Sequence, residues 1–144
     1  MKKYLIINGV NLNMLGVREP EIYGNATLKD LEDKLTKKAK ELGVGVDFFQ
    51  SNFEGEIVEK IHSAYGSYDG IIINPAAFTH YSYAIRDAFG SVKMPVIEVH
   101  ISNIHKREEF RRNSVIVPEC IGQICGLGFK GYELALEALV CETE

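Results

Sequence analysis

The sequence predicts an α/β protein: a flavodoxin-like, doubly wound, five-stranded parallel sheet in a three-layer α/β/α sandwich. Three observations predict it. Five short β-branched runs occur along the 144 residues. Stretches of helical spacing separate most of them. Most of the runs are apolar throughout, as parallel strands buried on both faces are. Strands that alternate with helices form an open parallel sheet covered on both sides. The length is that of one ordinary domain, read here as residues 1–144.

The elements follow in order. The first strand is Tyr4–Ile7. Thr27-Leu-Lys-Asp30 is a helix N-cap pattern, Leu31, Leu35, Ala39 and Leu42 follow at helical spacing, and Gly43 closes the helix. The second strand is Val44–Phe49, and a helix over Glu56–Tyr65 aligns Ile57, Ile61 and Ala64. Gly70–Ile73 is the third strand, with a helix over roughly Tyr81–Phe89 after it. Val96–His100 and Val115–Val117 are the expected fourth and fifth strands, separated by a short charged helix over Lys106–Arg112. The last helix runs from about Gly131 to Val140. One connection is too long for a minimal domain: residues 9–26 join the first strand to the first helix. Such links usually take about 2–6 residues, and much longer ones are commonly functional lids. Several apolar residues in this one argue for a mobile lid over a disordered tail.

Composition narrows the function. Lysine and arginine number 16 against 20 acidic residues, for a net charge of −4, so no general electrostatic grip on nucleic acid is expected. The apolar run after Lys2 and Lys3 is too short for a signal peptide, and no stretch approaches the length of a membrane span. Cys120, Cys125 and Cys141 form no C-x-x-C pair and read as reduced thiols. The expected location is the cytoplasm.

In a doubly wound sheet, ligands bind beyond the carboxyl ends of the strands. Asn8, Asn11, Arg18 and Tyr23 follow the first strand, and Asn74 through His80 follow the third. The fourth carries Glu98 and His100 on one face and leads into Ser102 and Asn103. A glutamate in an apolar strand needs a partner, and His100 can supply it. Such a pair would orient and charge the imidazole, as a proton donor requires. Taken alone, Tyr23 fits a packed loop tyrosine better, and His80 fits a helix cap as well as a ligand.

Other patterns carry less. Gly126-Leu-Gly-Phe-Lys-Gly131 matches G-x-G-x-x-G, but a dinucleotide site needs a further strand and an acidic residue about 20 positions on. A tight turn before the last helix is the better reading. Lys106–Arg112 reads as a mixed surface helix with a Glu108–Arg112 pair, from which one arginine could face the site. The histidines lack H-E-x-x-H spacing, so no metal is expected, and no lysine is placed for imine chemistry.

Three blocks are distinctive. Asn8-Gly-Val-Asn-Leu-Asn-Met-Leu-Gly-Val-Arg-Glu-Pro-Glu-Ile-Tyr-Gly24 closely resembles the opening signature of the type II 3-dehydroquinate dehydratases. Asn74-Pro-Ala-Ala-Phe-Thr-His80 resembles their second block, and Glu98-Val-His-Ile-Ser-Asn-Ile-His-Lys-Arg-Glu-Glu-Phe-Arg111 their third. The resemblance spans essentially the whole chain. It implies a single catalytic domain that performs an anti elimination of water from 3-dehydroquinate through an enolate, without metal or organic cofactor. It implies that Tyr23 is the base, that Arg18 activates it and that His100 protonates the departing hydroxyl. Asn74, His80 and Arg111 would hold the hydroxyls and carboxylate region, Ile101 and Ser102 would contact the carboxylate, and Asn11 would settle the enolate. Asp87 would reach a neighbouring subunit's site in a dodecamer built of trimers. Two positions depart from the family pattern: Val10 stands where proline is common and Ala76 where glycine is usual.

The chemistry agrees with these roles. A free tyrosine ionises near pH 10, so only about one in a thousand is a phenolate at pH 7. An arginine, which does not deprotonate, is a suitable neighbour to favour the charged form. A rival reading is a receiver or FMN-binding carrier of flavodoxin-like fold. A receiver wants acidic residues where Asn8 and Asn74 stand, and a flavin carrier wants a Ser/Thr/Gly phosphate loop after the first strand.

Overall fold

The computed structural model describes residues 1–17 and 19–144, with the Tyr23 side chain left out of the description. Five parallel strands, β1 (Lys3–Asn8), β2 (Gly45–Gln50), β3 (Gly70–Asn74), β4 (Val96–His100) and β5 (Gly122–Cys125), form one sheet in the order β2-β1-β3-β4-β5. This is the flavodoxin-like, doubly wound order. The helices are α1 (Pro20–Tyr23, a single turn), α2 (Leu28–Leu42), α3 (Glu54–Ala64), α4 (Tyr83–Val92) and α5 (Lys130–Thr143).

Alternation along the strands divides the core in two. Tyr4, Ile6, Ile72, Ile97 and Val99 pack with Leu31, Leu35 and Ala39 of α2 and Tyr132, Leu136 and Leu139 of α5. Leu5, Ile7, Ile71, Ile73 and Val96 pack with Ile57 and Ile61 of α3 and Ile85 and Phe89 of α4. Thr27 caps α2 by accepting the Asp30 N–H while the Asp30 carboxylate accepts the Thr27 N–H, and Gly43 ends the helix in the left-handed region at φ 72°. These termini match the sequence expectation.

The fifth strand does not. Val115–Val117 is not in the sheet: the Ser114 hydroxyl accepts the N–H groups of both Ile116 and Val117 and turns the chain, and a 3-10 turn follows over Val117–Glu119. Val115 and Ile116 are buried against α4's side of the sheet, which accounts for their apolar character. The true edge strand, Gly122–Cys125, is only partly buried and includes an exposed glutamine, so it carries little hydrophobic signal. The charged stretch also differs, forming two 3-10 turns over Ile104–Lys106 and Glu109–Arg112 in place of one α-helix. The glycine-rich segment is a tight turn, with Gly126 and Gly128 at φ 86° and 61° and their N–H groups bonded to the carbonyls of His100 and Ile101. No helix among the described residues is long and apolar enough to cross a membrane.

Candidate active site

A cavity of about 200 Å³ opens beyond the carboxyl ends of β1, β3 and β4, where the strand order reverses. The chain leaves β1 at Gly9, whose N–H bonds to the Asn74 carbonyl at 2.8 Å. A Cβ at this glycine would lie 2.4 Å from the Pro75 carbonyl oxygen, so a side chain there would force the first two blocks apart. Asn11 then adopts φ 70° and donates its N–H to Asn52 Oδ1 at 2.8 Å. Leu12 and Leu15 are buried, anchoring the start of the 9–26 loop in the core on the α2 side.

From β3, Asn74 is buried and Oδ1 accepts the Ala76 N–H at 3.1 Å. Ala76 sits at φ 55°, a conformation that costs a side chain about 1–2 kcal/mol. The departure from the usual glycine thus falls at a left-handed position suited to glycine. His80 is half-buried, donates Nδ1–H to the Asn113 carbonyl at 2.7 Å and meets the Phe110 ring edge-on. Burial pushes it below the ordinary histidine value, with help from nearby His100 and Arg111 and against the bond to Asn113. Its Nε2 lone pair is therefore an acceptor near neutral pH.

The floor is the Glu98–His100 pair. Both are buried, with His100 Nε2 2.8 Å from Glu98 Oε2. Glu98 also accepts from Ser114 Oγ at 2.7 Å and Gln123 Nε2 at 2.5 Å. Burial works to raise the Glu98 carboxyl, but these bonds and the attraction of His100 outweigh it and hold it below its usual range. The carboxylate needed to orient and support a charged imidazole is thus built in.

Among the described residues, the rim carries two arginines. Arg111 binds Glu108 through Nε at 3.1 Å, and its guanidinium lies 4.8 Å from the Phe110 ring centroid. This i,i+3 pair replaces the expected Glu108–Arg112 pair, because a 3-10 turn closes every three residues; Arg112 instead reaches the His105 carbonyl. Arg107 Nη1 donates to Ser102 Oγ at 3.2 Å, and Nη2 lies 4.0 Å from Glu19.

Asn11, Asn74, His80, His100, Ile101, Ser102 and Arg111, predicted from separate blocks, line this one cavity, with Glu98 bonded to His100. Arg18 lies outside the described residues, and so does the side chain of Tyr23, whose backbone closes α1. Asp87 is exposed on α4 and does not line the cavity of its own chain. Arg107 was not singled out, because it sits in a mixed-charge run that reads as a solvated surface. Among the described residues, no group of three His, Cys, Asp or Glu side chains is placed to hold a metal ion. Cys120 and Cys125 are pushed up to about 12 and 11, by burial first and Glu98 second, which makes them poor nucleophiles.

Comparison with known proteins points the same way. The sequence model of the family described as Dehydroquinase class II matches residues 2–140. A 3-dehydroquinate dehydratase of Bacillus cytotoxicus is 61% identical over 140 residues, covering 97% of this chain and 96% of that protein. One from Caldicellulosiruptor bescii is also 61% identical over 140 residues, covering 96% and 97%. The crystal structure of type II dehydroquinase from Butyrivibrio crossotus superposes with a TM-score of 0.94 at 53% identity, covering 96% of this chain and 97% of that one. The Propionibacterium acnes structure gives 0.94 at 48% identity, covering 98% and 97%.

Proposed function

The chain belongs to the class II dehydroquinase family, and from that premise we propose that it removes water from 3-dehydroquinate by anti elimination to give 3-dehydroshikimate. The observation that carries this reading is the buried Glu98–His100 pair at the floor of a cavity lined by Asn74, His80 and Arg111. Elimination needs a base, an acid and a place for negative charge, all of which side chains can supply.

Tyr23, as a phenolate favoured by Arg18, takes the proton α to the ketone, and the electron pair forms an enolate. Asn11 settles the enolate oxygen. The enolate then collapses: the C–O bond to the departing hydroxyl breaks, a proton from His100 makes it water, and a conjugated C=C bond remains. Glu98 holds His100 Nε2, so the proton passed on is that of Nδ1, and its carboxylate supports the imidazolium before transfer. Asn74 and neutral His80 hold substrate hydroxyls, while Ile101, Ser102 and Arg111 receive the carboxylate. The acid on β4 and the base on the 9–26 loop come from different parts of the chain, an origin compatible with attack on opposite faces.

The exposure of Asp87 and its absence from the lining of its own chain's cavity support a role across a subunit boundary. The proposed assembly is a dodecamer of trimers in the cytoplasm, each subunit a single catalytic domain that uses no cofactor. Adding 3-dehydroquinate to the purified protein should produce the ultraviolet absorbance of the conjugated product, and no rise with folded protein overturns the assignment. Tyr23→Phe should lose most turnover and still bind ligand. Borohydride with substrate should leave activity intact, since rapid inactivation would indicate an imine.

A further inference from the structure

Tyr132 on α5 is fully buried, yet its hydroxyl serves no bond within its own helix. It donates to Asn8 Oδ1 at 2.7 Å and accepts from Asn74 Nδ2 at 2.9 Å. Asn8 and Asn74 are register partners, the last residues of adjacent strands β1 and β3. Both ends of the Asn74 amide are consequently specified. Its oxygen takes the Ala76 N–H, so the end facing Tyr132 must be the NH2 group, and the phenol spends its single hydrogen on Asn8.

We propose that Tyr132 is a positioning residue for the reaction: its hydroxyl and Asn8 fix the rotation of the Asn74 amide so that the second Nδ2 hydrogen is presented to a substrate hydroxyl. The arrangement is costly as mere packing. Among the described residues Asn8 Nδ2 is buried without a partner, and an apolar cluster of the same shape would leave no such donor unmet. Two buried polar side chains from two other elements serve here to orient one amide that lines the cavity. Burial also pushes the phenol upward, which favours its neutral, donating form.

This inference rests on the reading that Asn74 binds 3-dehydroquinate, and the test separates the two. Wild-type protein is assayed first: no turnover overturns the function and the clamp's purpose together, whereas turnover leaves the clamp to be judged by its variants. Tyr132→Phe should raise KM for 3-dehydroquinate about five- to tenfold, the loss of one well-placed hydrogen bond. Lowered thermal stability alone would not do this if rates are read well below the unfolding temperature. In the Asn74→Ala background, Tyr132→Phe should add no further change in KM. A wild-type KM in Tyr132→Phe, or effects that multiply in the double variant, overturns the proposal. If Tyr132→Phe does not fold, Asn8→Ala removes the acceptor of the hydroxyl together with the unmet Nδ2 and leaves the phenol in place. It should raise KM about two- to threefold, the effect of part of one hydrogen bond, and an unchanged KM overturns the proposal.

Discussion

His100 and Arg111 face the same cavity, and each is held by a carboxylate, but in opposite surroundings. Glu98 is wholly buried and receives three side-chain donors. Glu108 has 57% of its side chain exposed and holds Arg111 across a surface turn. A buried pair is expensive to break, because the survivor is left uncompensated in low dielectric. An exposed pair contributes about 0–1 kcal/mol and exchanges partners readily. In the proposed reaction, the group that would deliver a proton from one place is therefore fixed, and the group that would receive an incoming carboxylate is held by something that carboxylate can replace.

The comparison can be broken at either end. The largest effect should come from His100→Ala, with kcat falling about 10²–10⁴-fold, the usual contribution of a general acid, while circular dichroism shows a retained fold. Next, Glu98→Ala should lower stability to urea by about 3–5 kcal/mol, because His100, Ser114 and Gln123 all lose their acceptor. Glu98 also predicts a pH dependence. Its folded-state value lies below the ordinary one of 4.5, so its stabilisation is complete above that value and is lost as pH falls through the depressed folded value. Urea midpoints of wild type should decline through that acid window, and those of Glu98→Gln should decline less. A smaller gain, about 1 kcal/mol, is expected for Ala76→Gly, which relieves a left-handed alanine at φ 55°. Smallest of all, Glu108→Gln should change stability by about 0.5 kcal/mol or less and alter KM by about twofold or less. A large KM increase there would show that Glu108 positions Arg111 and does not merely occupy it.

Where the sequence reading succeeded and failed follows from what each signal measures. Apolar runs in β1, β3 and β4 were legible because those strands are buried on both faces, so residues pointing to either side carry the signal. The same rule misled at Val115–Val117, where burial without strand pairing produces an identical pattern, and missed Gly122–Cys125, an edge strand with a half-wet surface. Glu98 and His100 were legible as a pair because a two-residue spacing in a strand has one geometric meaning. Arg107 and Tyr132 were not: one reads as surface charge and the other as helix core, since nothing local records which distant strand end each will meet.

The order of elements through β4, the caps of α2 and the candidate chemical groups were determined by the sequence by itself, since periodicity, capping and residue type are local properties. Only the tertiary structure decided that seven predicted residues from three blocks share one cavity, that Arg111 is tied to Glu108, and that Tyr132 joins Asn8 to Asn74. Those outcomes depend on strand register and on which helix covers which face. Both are settled by packing between residues up to 139 positions apart in the chain.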